Sequence, residues 1–209
     1  WTVYAILQTQ TGKDFKAQLT HVDGTKLEKF SLADEAAAQR ALGLVRAQTY
    51  SVSSVKHRQI QKRPSAPFRT STLQQVASRT LNMSTKHSAG VAQQLFQEGL
   101  ITYMRTDSVT LSSDALSSIR ATIENSPNFG KKYLPAKPKY YTNKTKNAQE
   151  AHEAIRPTDI ARSPKDLPKH LKHEAVRLYD LIWKRTMASQ MENGLDNQLS
   201  IDIGSFDQK

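Results

Sequence analysis

Residues 71–99, STLQQVASRTLNMSTKHSAGVAQQLFQEG, predict two helices joined by a very short turn. Ser71 begins an S-x-x-Q capping-box pattern, which indicates a helix from there to about Leu81. The turn is Asn82–Ser84, and Gly99 closes the second helix, as glycine often does after a last helical turn. The second helix carries one apolar stripe, formed by Val91, Ala92, Leu95 and Phe96. Two helices with so short a connection are typical of a helix-turn-helix-like pair.

Two more helices are predicted on the carboxyl side of this pair, over roughly 113–124 and about 170–190. Each places its apolar residues on one face, as a helix packed on a core does. These faces consist of Ala115, Leu116, Ile119 and Ile123 in the first, and of Val176, Tyr179, Ile182 and Trp183 in the second. Residues 126–149 are rich in Pro, Lys, Asn and Tyr, which predicts a loop.

Both ends of the chain have the pattern of β-strands. Strand-like apolar runs or alternation occur in VYAIL (3–7), FKAQLTHV (15–22), TYSVSSVKHRQIQ (49–61) and QLSIDIGSF (198–206). Asp23-Gly24 predicts a tight hairpin turn, and the Ala- and Leu-rich residues 33–46 predict a helix.

The simplest topology that joins these elements is α+β. A β-rich domain is built from both chain ends, residues 1–62 and 190–209, and a mainly helical domain, residues 63–189, is inserted between them. The breaker cluster Arg63–Pro67 marks the first boundary.

The composition narrows the classes of function. The 209 residues contain 30 Lys and Arg but 19 Asp and Glu, and this net charge of +11 is typical of a polyanion binder. Cysteine is absent, which excludes a disulfide scaffold, a thiolate zinc site and a cysteine nucleophile. No apolar stretch approaches the roughly 20 residues of a membrane span. The first residues lack the pattern of a secretory signal, and no nucleotide-phosphate loop occurs.

The most unusual segment is LITYMRTDS, residues 100–108, which places a phenol, a guanidinium, hydroxyls and a carboxylate close together. Cationic charge favours the phenolate, and a guanidinium can hold phosphate oxygens bidentately. A tyrosine that attacks a phosphodiester needs such neighbours, so Tyr103 and Arg105 are candidates for this chemistry. The same residues also fit a strand aromatic beside an exposed arginine.

Two further segments are candidates for phosphate contact. In QEAHEAIRPT, residues 149–158, His152 can donate to a phosphate or relay a proton, and Arg156 can hold a phosphate. The pattern is not a zinc-protease motif, because Arg156 stands where a second histidine is needed. The alternative is a solvated turn before Pro157.

The hydroxyls of Thr70, Ser71 and Thr72 stand at a helix start, where a phosphate can bind but where most hydroxyls only cap the helix. The lysines between residues 131 and 146 alternate with three tyrosines, Tyr133, Tyr140 and Tyr141. They fit a platform for a single strand of nucleic acid or, equally well, a solvated loop.

Five stretches, in this order, resemble the bacterial type IA DNA topoisomerase family: PFRTSTLQQVAS, VAQQLFQEGLITYMRTDSVTLS, FGKKYLP, AHEAIRPTDI and LYDLIWKRTMASQM. The clear resemblance covers roughly residues 64–191, and the flanking pieces fit the family's β-rich arch more loosely. The ITYMRTDS and AHEAIRPT motifs are the most specific.

This resemblance implies a role for each matching residue. Tyr103 would be the nucleophile that breaks one DNA strand and holds its 5′ phosphate as an ester. Arg105 would position the scissile phosphate, and His152 would contact a nearby backbone phosphate and assist protonation. Arg156 and the hydroxyls of Thr70, Ser71 and Thr72 would bind DNA through its phosphates or make structural contacts. A phosphotyrosine ester conserves bond energy, so resealing would need no ATP.

The resemblance also implies groups that this sequence does not contain. In the family, Mg²⁺ is bound by an acidic Toprim domain, and a further domain grips DNA, so we expect this chain to be a fragment without a metal site of its own. The expected substrates are single-stranded and negatively supercoiled DNA, with no membrane partner, in the bacterial cytoplasm at the nucleoid. The fragment alone is expected to be inactive. The alternative is a non-catalytic basic module that binds single-stranded nucleic acid.

Overall fold

The computed structural model describes residues 1–142 and 152–206, which form a mixed α+β fold. In chain order its strands and α-helices are β1 (Tyr4–Gln8), β2 (Asp14–Gln18), β3 (His21–Val22), β4 (Thr25–Lys26), α1 (Glu35–Arg46), β5 (Thr49–Lys62), α2 (Thr70–Leu81), α3 (Thr85–Gln97), α4 (Ser113–Glu124), α5 (His173–Ser189) and β6 (Gly194–Phe206). The chain divides into two units, one of residues 1–59 with the segment from Asn197, the other of Ile60–Asp196.

The first unit is built from hairpins and one helix. Strands β1 and β2 pair antiparallel, with Tyr4 opposite Gln18. Strands β3 and β4 meet at Asp23-Gly24, where both residues have positive φ, 48° and 74°, as a type I′ hairpin turn requires. The predicted Asp-Gly turn is therefore confirmed. The buried core of this unit is small and consists of Val3, Leu32 and Ala41.

Strands β5 and β6 pair as a separate two-stranded sheet. The strand predicted over 49–61 is confirmed, and the strand predicted over 198–206 begins earlier, at Gly194.

The second unit contains the predicted helix pair. Helix α2 ends at Asn82, whose φ of 54° turns the chain, and the Ser84 hydroxyl accepts a hydrogen bond from the N–H of His87 to begin α3. The predicted cap of α2 is wrong. The helix begins at Thr70 after an extended Arg69, whose N–H donates to Thr72 Oγ1 at 3.1 Å, so Ser71 lies within the first turn.

The core of the second unit has two apolar clusters. The larger one joins α2, α3 and α5 around fully buried side chains that include Phe68, Leu95 and Tyr179. The smaller one lies under α4, and Trp183 packs against both. Helix α4 has the predicted bounds, and α5 lies within the predicted range. Residues 126–142 contain one short 3-10 turn, Lys131–Tyr133, and the rest of the predicted loop, 143–149, lies outside the described residues.

Candidate active site

The three segments that the sequence singled out separately lie side by side in the second unit. Isolated β-bridges join Phe68 to Ile155 and Ile101 to Pro157. The N–H of Ile155 donates to Phe68 O at 2.7 Å, and the N–H of Thr102 donates to the carbonyl of Arg156 at 2.9 Å. The segment before α2, the segment after α3 and the segment that follows His152 therefore form one backbone-bonded layer.

Tyr103 lies in this layer on a segment that follows Gly99. That glycine has a φ of +68°, which turns the chain out of α3 with no Cβ penalty. Exposure alternates along the segment, because Met104 and Thr106 are buried whereas Tyr103 and Arg105 are exposed. The buried side chains fix the segment to the core, and Tyr103 stays 40% exposed to solvent.

Two other rings flank the Tyr103 ring. Phe96, from α3, contacts it edge-on at a centroid distance of 5.4 Å. The His152 ring lies 5.9 Å from it, tilted by 45°. The Tyr103 ring thus has an apolar ring from α3 and an imidazole ring as its neighbours.

Arg105 is exposed and lines a cavity of about 420 Å³ against α2 and α3. It forms no ion pair or hydrogen bond through its side chain with any other residue in the described ranges. A guanidinium with no internal carboxylate partner is available to an anion such as a phosphate.

Arg156, by contrast, is engaged inside the protein. Its Nε and Nη2 donate to one oxygen of Glu153 at 3.1 and 2.6 Å, and its Nη1 donates to Pro157 O at 2.9 Å. Burial favours a raised pKa for Glu153, but hydrogen bonds from Ser112 and Arg156 outweigh it, so this pKa lies below its ordinary value. Arg156 has unused N–H groups, but most of its fork holds Glu153.

The hydroxyls at the start of α2 differ from one another in their surroundings. Thr70 Oγ1 lies 2.7 Å from Met104 O and accepts from the N–H of Thr106 at 2.9 Å, so it ties α2 to the Tyr103 segment. The Thr72 hydroxyl bonds to the backbone of Arg69. Of these three residues, only Ser71 is exposed and has a hydroxyl that forms no hydrogen bond with another residue in the described ranges.

The tyrosines of the predicted platform separate into two groups. Tyr133 and Tyr140 are 40% and 68% exposed. Tyr141 is half-buried, donates to Pro64 O and to Ser189 O, and has its pKa raised by burial. Two of the predicted lysines, Lys144 and Lys146, lie outside the described residues.

Sequence reasoning did not find Phe96 as a neighbour of Tyr103 or Glu153 as the partner of Arg156. The Glu153–Arg156 pair had a signal, because opposite charges three residues apart often meet. The contact between Phe96 and Tyr103 had none, since it depends on the turn at Gly99. In the described ranges, no group of three or more His, Asp or Glu side chains is placed to hold a metal ion. No helix of those ranges is long and apolar enough to cross a membrane.

The site thus combines a tyrosine beside two aromatic rings with an arginine that has no side-chain partner in the described ranges. The family described as DNA topoisomerase matches residues 1–209, and the chain belongs to this family.

Among its relatives is DNA topoisomerase 1 of Rickettsia felis, 46% identical over 201 residues that cover 92% of this chain and 26% of the relative. DNA topoisomerase 1 of Pseudomonas aeruginosa is 44% identical over 209 residues, covering 99% of this chain and 23% of the relative. The solved structure of full-length topoisomerase I from Thermotoga maritima matches 89% of this chain and 29% of its own, with 30% identity and a TM-score of 0.63. This chain thus spans about a quarter of the length of the curated relatives that it matches.

Proposed function

We propose that this chain carries the nucleophile of a type IA DNA topoisomerase, which relaxes negatively supercoiled DNA by cutting one strand, passing DNA through the break and resealing it. The observation that carries the proposal is the position of Tyr103 between Phe96 and His152, with Arg105 exposed two residues along. The substrate is single-stranded DNA exposed by negative supercoiling, and the parent enzyme acts in the bacterial cytoplasm at the nucleoid.

The proposed reaction is a pair of transesterifications. The Tyr103 oxygen attacks the phosphorus and loses its proton; the bond from phosphorus to the 3′ oxygen breaks, and that oxygen leaves as a 3′-hydroxyl after taking up a proton. Resealing reverses these changes, so the number of phosphate ester bonds is conserved and ATP is not required. Arg105 balances the charge of the phosphate, and His152 contacts a phosphate oxygen and moves a proton at the leaving oxygen.

The remaining site residues support this centre. Arg156 holds Glu153, which in turn accepts from the N–H of Ser112 at 2.7 Å, and so it positions the His152 segment while its unused N–H groups meet DNA. Of the three hydroxyls at the start of α2, that of Ser71 meets a phosphate, and those of Thr70 and Thr72 hold the site together.

The resemblance to the family supports a proposal for the role of each unit. We assign the β-rich unit to the arch and the helical unit that contains Tyr103 to the gate. By its resemblance to the family, we also propose that the parent enzyme binds magnesium through a Toprim domain outside these 209 residues. A further DNA-gripping domain completes the enzyme, and the isolated chain is inactive.

The proposal is tested by relaxation of a negatively supercoiled plasmid by the full-length protein with Mg²⁺. Tyr103→Phe removes the nucleophilic oxygen and is expected to abolish relaxation while leaving binding of single-stranded DNA unchanged. Tyr133→Phe is the matched control, since Tyr133 is equally exposed, 40%, and lies in the same unit. Relaxation by Tyr103→Phe at the rate of the control would overturn the proposal. Salt-sensitive DNA binding without any relaxation by the unaltered protein would favour the non-catalytic binding module instead.

A further inference from the structure

The cavity beside Arg105 is a second feature of this surface, and no step of the proposed reaction uses it. It has a volume of about 420 Å³, within the usual range of small-molecule pockets, and lies between α2, α3 and the Tyr103 segment. Met104 and Arg105 form one wall, so the cavity adjoins the residue that would hold the scissile phosphate.

The lining combines apolar walls with two polar groups. Leu73, Ala92 and Met104 give it a mainly apolar surface. Gln74 on α2 and Gln93 on α3 add side-chain amides, each half-buried and without a hydrogen-bond partner in the described ranges. An amide offers both a donor and an acceptor, as the edge of a nucleobase does, and apolar walls suit the face of a base.

Helix α3 both lines the cavity and contacts the Tyr103 ring. Gln93 lines the cavity, and Phe96, which contacts the Tyr103 ring, follows one turn later on the same face of α3. One turn of helix advances about 5 Å, which is within the reach of a single nucleotide. A base that occupied the cavity would therefore adjoin the phosphate held at Tyr103 and Arg105.

We propose that this cavity binds the nucleobase on the 5′-phosphate side of the break, the first one after the scissile phosphate. The inference rests on the proposed function, because it places the phosphate at Tyr103 and Arg105. Holding this base orients the phosphate for attack and keeps the covalently attached end in register for resealing. The apolar walls stack on the base, Gln74 and Gln93 contact its edge, and Arg105 contacts the phosphate of the same nucleotide.

Gly90 provides a way to close the cavity without disturbing the core. It lines the cavity from the exposed face of α3, and a Cβ built on it meets nothing within 4 Å. Gly90→Leu therefore fills the cavity, and leucine is a better helix former than glycine. Gly43→Leu is the matched control, because Gly43 is an exposed glycine within α1 of the other unit that also has nothing within 4 Å of its Cβ position.

The experiment uses the full-length protein, Mg²⁺ and 3′-labelled single-stranded oligonucleotides with one cleavage site, because the 3′ label stays on the strand that is joined to Tyr103. Covalent complex is quantified after a detergent quench, on the intact strand and on strands with an abasic residue at the first or at the fourth position after the break. With the unaltered protein and Gly43→Leu, base removal at the first position is expected to lower the yield about tenfold, and removal at the fourth to have no effect. Gly90→Leu is expected to give that low yield on the intact strand, with no further loss on the abasic one.

Three results would overturn the inference while leaving the proposed function intact. In the first, base removal does not change the yield of covalent complex with the unaltered protein. In the second, Gly90→Leu gives a normal yield on the intact strand. In the third, base removal lowers the yield by the same factor with Gly90→Leu as with the unaltered protein. The last result would mean that the cavity accepts something other than this base, such as a side chain of the parent enzyme. Absence of covalent complex with every protein and strand would refute the proposed function itself. Thermal melts of the variants verify that each one is folded.

Discussion

Replacing Thr70 with valine tests whether the Thr70 hydroxyl stabilises the fold or contacts DNA. The hydroxyl lies 2.7 Å from Met104 O and 3.0 Å from Thr106 O, and it accepts the N–H of the buried Thr106. Valine has nearly the same shape but removes one donated hydrogen bond, about 1 kcal/mol, and leaves a buried N–H unsatisfied, about 1 to 2 kcal/mol. We expect Thr70→Val to lower the free energy of unfolding of the helical unit by about 2 to 3 kcal/mol.

Urea and thermal unfolding of the 209-residue chain measure this loss. The sequence has two tryptophans, Trp1 and Trp183, so a Trp1→Phe background makes Trp183 in the helical unit the only fluorescent reporter. The expected loss corresponds to a fall in Tm of about 6 to 12 °C. Ser71→Ala is the neighbouring control and should change stability by less than about 0.5 kcal/mol. If Thr70→Val unfolds as the unaltered chain does but binds single-stranded DNA more weakly, the structural role of the Thr70 hydroxyl is refuted.

Three further predictions concern the same unit. Gly99→Ala forces a side chain onto a φ of +68° and should cost about 1 kcal/mol in urea unfolding, whereas no change would mean that the turn relaxes freely. Because the folded pKa of Glu153 is depressed, its stabilising effect is present above its unfolded pKa and is lost as pH falls through the folded pKa. Glu153→Gln should therefore weaken the dependence of the free energy of unfolding on acid pH. An unaltered pH dependence would argue against this role of Glu153. Burial raises the pKa of Tyr179 to about 12, so its stabilising effect is lost as pH rises from about 10 to 12, and Tyr179→Phe should remove the last step of a spectrophotometric tyrosine titration.

Local elements of this fold are predictable from the sequence because their signals are local. The apolar stripe of α4 predicts this helix over roughly 113–124, where it is found, and Asp23-Gly24 identifies the hairpin of β3 and β4. The predicted cap of α2 is wrong because Arg69, not Ser71, is the residue before the first helical turn. The backbone of Arg69 is extended there, and its N–H donates to the Thr72 hydroxyl.

The arrangement of the candidate site is not predictable in the same way. The motifs around Tyr103 and His152 identify the residues, but the bridges that join Phe68 to Ile155 and Ile101 to Pro157 connect residues far apart in the chain. Nothing in the local pattern fixes such pairings, which follow from burial of these apolar side chains in one core. The cavity between α2 and α3 depends in turn on how the two helices pack, and so only the structure locates it.

The most direct test of the account is to identify the residue that becomes attached to DNA. Full-length protein is incubated with Mg²⁺ and a labelled single-stranded oligonucleotide, quenched with detergent and digested, and the adduct is located by mass spectrometry. We expect one adduct, a 5′-phosphate ester on Tyr103, that disappears in Tyr103→Phe and persists in Tyr133→Phe. An adduct on another residue, or a phosphate attached through its 3′ side, would contradict it.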